Sequence, residues 1–147
     1  MIAVEVWGDP SGVAARPPDP GQSGDAGGGW RAIRVEPTVW WLSGPLADVE
    51  RRLLEVSAAL AIEGAATDLT GAFVRVRIAG SGWRERLMTG GVFDAEGAGF
   101  GADSTAGTLL HHVSVRYDVV DDDAVDVYVA PSYLDDLLHH LRRTTGT

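Results

Sequence analysis

Two runs near the end of the chain constrain its fold most. In "VSVRYDVVDDDAVDVYVA" (113–130), Val113, Val115, Tyr117 and Val119 alternate with other residues, and Val125, Val127 and Val129 do so again. A period of two sends successive side chains to opposite faces and marks strands with one face on a core. The runs flank Asp121-Asp122-Asp123, so they are predicted to pair as an antiparallel hairpin around a solvated acidic turn. Val74, Val76 and Ile78, alternating with Arg75 and Arg77, make a further strand of the same kind.

Helical spacing separates these strands. Ser43-Gly44-Pro45 opens a helix with proline in the first turn, where its missing N–H costs nothing. Leu46, Val49, Leu53, Val56 and Leu60 then form an apolar stripe opposite Asp48, Glu50, Arg51, Arg52 and Glu55, with Gly64 as the expected stop. Ser132 and Asp135 have capping-box spacing before a last helix whose buried stripe is Leu134, Leu137, Leu138 and Leu141. Residues 33–42 read as one strand interrupted by Pro37. Half-exposed strands mixed with amphipathic helices predict an α+β domain, an antiparallel-rich sheet with helices packed on one face. Residues 9–29, rich in Pro, Gly, Ser and Asp, bury too little apolar surface to offset their ordering entropy and read as a flexible arm. The expected organisation is therefore an N-terminal strand and arm over 1–29, then an α+β domain over 30–147. A strand tethered in this way is suited to adding to a sheet edge, its own or a partner's.

Composition removes whole classes of chemistry. The 147 residues contain no cysteine, which excludes disulfides, thiolate catalysis and Cys-ligated zinc or iron–sulfur sites. A net charge of −9 disfavours nucleic acid and anionic membrane as partners. No stretch approaches the roughly 20 apolar residues that span a bilayer. The opening residues lack the basic lead and long apolar core of a signal peptide, so the expected location is the cytoplasm.

Specific sites fare no better. "TDLTGAFVRVRIAGSGW" (67–83) delivers a strand into a glycine turn, but Glu85 stands where a dinucleotide fingerprint needs glycine, and no Gly-Lys-Ser/Thr triplet occurs. Gly80 and Gly82 are turn glycines. His111-His112 and His139-His140 are adjacent pairs whose rings diverge, so they read as surface or edge histidines rather than metal ligands. Asp121, Asp122 and Asp123 lack the spaced ligands of a calcium loop. Asp135 and Asp136 complement the dipole of the last helix. Of Trp40 and Trp41, on opposite faces of a strand, one is expected in the core and the other is a candidate contact surface. These residues nominate no catalytic, cofactor-binding or metal-binding group, and on them alone the function is undetermined.

The order of segments says more. "VWWLSG" (39–44) leads into a helix; "ATDLTGAFVRVRIAG" (66–80), "WRERLMTGG" with "VFD", "STAGTLLHHVSVRYDV" and "DAVDVYVAPSYLDDLLHHLRR" (123–143) follow. Over residues 36 to 143 this series resembles the gamma subunit of heterotetrameric sarcosine oxidase and related N-methyl amino-acid oxidoreductases. The chain differs in carrying Asp103-Ser104-Thr105 where the family often has cysteine, and Pro131 where it has arginine. The resemblance implies a fold similar to the folate-binding domain of the glycine cleavage T-protein and of aminomethyltransferase-like proteins. It also implies a noncatalytic role beside large alpha and beta flavoprotein subunits and a small delta subunit, which carry FAD, FMN, NAD and tetrahydrofolate and oxidise the N-methyl amine. Asp135-Asp136 lies on the last helix, so the T-protein's catalytic aspartate is not transferred to it. Two other readings stand beside this one: a free-standing folate-dependent one-carbon transferase relative, and an acidic protein-binding or immunity-type module.

Overall fold

The structure, a computed structural model, describes residues 1–9 and 17–144. The chain divides into two compact units, Met1–Thr70 and Gly71–Thr147, each with its own antiparallel sheet and core. The α+β class holds, with two sheets in place of the single one expected.

The first unit contains β1 (Ile2–Val6), β2 (Ser23–Gly27), β3 (Trp30–Glu36), β4 (Val39–Ser43), α1 (Val49–Leu60) and β5 (Gly64–Asp68). Its sheet has the order β2-β3-β4-β1-β5. Alternation along the strands puts Ile2, Val4, Trp30, Trp40 and Leu42 into one cluster, which Val49, Val56 and Leu60 of α1 join. Gly44 is required where the chain leaves β4, since a Cβ there would lie 2.3 Å from the Trp30 indole.

Several expectations change in this unit. Residues 33–42 are not one strand: Pro37 fixes its own φ and lacks a ladder donor, and the chain turns there between β3 and β4. Ser23–Gly27, expected in a flexible arm, is an edge strand bonded to β3, and β1 lies inside the sheet between β4 and β5. The two compact units divide after Thr70. Residues 10–16 of the expected arm lie outside the described residues. Leu46 is exposed on a single 3-10 turn that precedes α1. The helix ends at Leu60, four residues before Gly64, which instead opens β5.

The second unit contains β6 (Val74–Ala79), α2 (Trp83–Met88), β7 (Thr105–Leu110), β8 (Val113–Asp121), β9 (Ala124–Val129) and α3 (Leu134–Arg143), with the sheet order β6-β9-β8-β7. The hairpin β8–β9 forms as its alternation predicts, with Tyr117 opposite Val127 and Val119 opposite Val125. Val113, Val115, Tyr117, Val119, Val125, Val127 and Val129 join Trp83, Leu87 and Leu137 in the core. The last helix departs from expectation at its start: a 3-10 turn over Pro131–Tyr133 precedes it, and no side chain caps it. Its fully buried leucine is Leu137, while Leu138 is half-buried. Among the described residues no helix is long and apolar enough to cross a membrane.

Candidate functional site

The glycine turn between β6 and α2 is a connection. Gly80 adopts a φ of 103°, and its N–H donates to the Asp123 carbonyl at 2.8 Å. The Trp83 N–H donates back to Gly80 at 3.1 Å, and the Trp83 indole N–H to the Asp122 carbonyl at 3.0 Å. The Gly80 N–H and the Trp83 indole tie the turn to the acidic β8–β9 hairpin, and the Trp83 backbone N–H is used within the turn, so neither of these backbone donors is left for a phosphate.

From this anchor α2 projects two arginines with different fates. Arg84 lies over the Trp83 ring at 4.2 Å and donates to the carbonyls of Ala95 and Phe100, clamping the loop that follows the helix. Arg86 instead faces a half-open cleft of about 800 Å³ lined also by Glu85, Thr89 and Gly90, by His111, and by His139, His140 and Arg143 of α3.

Histidine positions in the cleft follow from backbone geometry. His111 and His112 form the two-residue turn of the β7–β8 hairpin, with φ of 49° and 67°. Two left-handed residues are what such a turn requires, and histidine is among the side chains that enter this region more readily. The His111 ring stacks on His140 with centroids 4.5 Å apart and planes 13° from parallel. His140 Nε2 lies 2.7 Å from the Thr89 carbonyl oxygen, which can only accept, so Nε2 carries the proton and donates. Gly90 makes this placement possible: its φ is 78°, and a Cβ there would stand 2.8 Å from His140 Cε1. His111 and His140, which spacing placed in unrelated pairs, are thus brought together from across the fold.

The other concentration of charge in this unit is paired. Asp126 on β9 is wholly buried and accepts from Arg77 Nε at 2.7 Å and Nη2 at 2.9 Å. The hydrogen bonds to Asp126 raise the Arg77 guanidinium above its ordinary value. Asp118, also wholly buried, stands opposite Asp126 across the β8–β9 ladder. Burial pushes the Tyr117 phenol up, and its hydroxyl has no hydrogen-bond partner among the described residues.

The remaining candidates lie elsewhere. Asp122 and Asp123 close the β8–β9 turn, where the Asp121 carboxylate accepts from the Asp123 N–H at 2.9 Å. Asp135 and Asp136 occupy the first turn of α3. Trp40 belongs to the core of the first unit, and Trp41 on the opposite face of β4 is buried as well, so neither offers the contact surface expected of one of them. Among the described residues no three His, Asp or Glu side chains converge as metal ligands.

No protein-family model matches this sequence, and no curated protein matches it. Among solved structures, a chain of the heterotetrameric sarcosine oxidase from Corynebacterium sp. U-96, determined in complex with pyrrole 2-carboxylate, superposes with a TM-score of 0.80. The match covers 95% of this chain and 75% of that one at 17% sequence identity. By its fold, then, this chain is similar to a chain of heterotetrameric sarcosine oxidase, the enzyme that the order of its sequence segments resembles.

Proposed function

We propose that this chain is a noncatalytic, gamma-type accessory subunit of a flavin-dependent heterotetrameric complex of the sarcosine oxidase kind. The complex demethylates an N-methyl amino acid oxidatively, and the chemistry resides in the partner subunits. The observation that carries the reading is the fold shared along nearly the whole chain with a chain of such an assembly. The segment order over residues 36–143 agrees with it independently. FAD, FMN, NAD and tetrahydrofolate belong, on this reading, to the alpha, beta and delta partners, and the complex works in the cytoplasm.

The association surface is not the Trp-rich strand, whose indoles are buried. In the first unit the exposed large apolar side chains are Trp7, Leu46, Leu54 and Ile62, the last 90% exposed. The Trp7 N–H donates to the Glu63 carbonyl at 2.8 Å, which brings Trp7 and Ile62 to the same end of β1. Exposed side chains of this type and size suit a permanent interface. Co-expression with flavoproteins encoded beside this chain tests the proposal. A yellow complex containing the chain is expected, and omitting the chain should lower its yield or stability without removing one chemical step. Loss of a single step from an otherwise intact complex contradicts the accessory role.

A further inference from the structure

We propose that the cleft formed by α2, α3 and the β7–β8 turn binds a small multiply charged anion, a phosphate ester or a polycarboxylate, through Arg86, Arg143 and the surrounding imidazoles. The inference does not depend on the subunit reading.

The distribution of cations singles out this cleft. Every basic residue in this chain is an arginine, and 21 acidic residues face 12 basic ones. In so acidic a chain an arginine readily finds a carboxylate or a carbonyl, and most do. Arg51 and Arg52 pair with Glu55, and Arg75 and Arg77 with Asp126. Arg31, Arg34, Arg84, Arg116 and Arg142 are likewise engaged. Among the described arginines only Arg86 and Arg143 have a guanidinium with no hydrogen bond or ion pair, and both line this one cleft. They come from different helices, so no local sequence preference explains their meeting. Glu85, the single carboxylate in the lining, forms no ion pair with either.

The cleft also has the size and part of the internal order of a ligand site. A cleft of about 800 Å³ falls in the range of small-molecule sites. One imidazole in its wall is already positioned, since His140 is held by the Thr89 carbonyl, by the His111 ring and by the space that Gly90 leaves. Two planar guanidinium forks beside fixed imidazoles suit the oxygens of phosphate or carboxylate groups.

Calorimetric titration of the full chain at low salt with pyrophosphate and with citrate tests the proposal and separates the two ligand sources. Saturable one-to-one binding of at least one probe is expected. Arg86→Gln and Arg143→Gln should each weaken it roughly tenfold or more, while Arg51→Gln, in the other unit, should not. Far-UV circular dichroism should show all three variants folded. Failure of both probes to bind saturably, or affinity unchanged in the Arg86→Gln/Arg143→Gln double variant, overturns it.

Discussion

The second unit concentrates charge in two places and resolves it in opposite ways. On β6 and β9 the buried Asp126 receives both forks of Arg77. In the cleft of α2 and α3, Arg86 and Arg143 face stacked imidazoles with no ion pair among the described residues. Taking a carboxylate out of water is costly unless hydrogen bonds compensate it, so the first arrangement is part of the architecture. Exposed guanidinium groups cost little to leave unpaired, so the second leaves its charge available to a ligand. Paired charge here marks structure, and uncompensated charge marks a site.

That contrast can be broken from either side. The largest effect is expected at the buried pair: Arg77→Ala removes both hydrogen bonds to the Asp126 carboxylate, leaving only the Arg75 guanidinium at 4.0 Å, and should cost about 3 kcal/mol, the lower end of the usual range because the Arg77 side chain is half exposed. Urea unfolding measures it, and replacing both partners with apolar residues should recover most of the loss. Gly90→Ala comes next. It combines left-handed backbone with a Cβ 2.8 Å from His140, so it should cost about 1–3 kcal/mol and shift the His140 ring resonances.

Tyr117→Phe acts in the other direction. Removing a buried hydroxyl without a partner should leave stability unchanged or raise it by about 1 kcal/mol. The folded-state phenol titrates above its unfolded value, so its contribution is complete below about pH 10 and is lost as pH rises beyond that. Thermal melts of the Tyr117→Phe variant should therefore fall less steeply in alkali than those of the parent chain. Smallest of all, Arg86→Gln and Arg143→Gln should each change stability by less than about 0.5 kcal/mol. A larger cost would mean that the cleft arginines are structural after all.

Period two made the β8–β9 hairpin and β6 legible, because one face of each is in the core. β2 was not legible: Ser23-Gly24-Asp25-Ala26-Gly27 has little strand propensity of its own, and its ladder to β3 supplies the structure. The strand boundary at Pro37 was visible as a break, but only the register shows the chain reversing there. Leu137 and Leu138 share one apolar stripe, and the helix's rotation against the sheet decides which is engulfed. The cleft was the least accessible to spacing, since His111 meets His140 only through tertiary packing. One local signal was present. The runs now seen as β7 and β8 are separated by two residues, so His111-His112 is a hairpin turn with both rings thrown to one end of the sheet.

On the proposed function, this chain is a part of a larger enzyme and performs no oxidation itself. Native mass spectrometry of the complex purified after co-expression with its neighbouring flavoproteins tests this, with the purified 15.5 kDa chain assayed in parallel for sarcosine oxidation. One fixed stoichiometry that includes this chain, flavin mass carried only by the partners, and no turnover by the chain alone are expected. A chain that oxidises sarcosine unaided, or that is absent from every flavoprotein assembly so isolated, contradicts it.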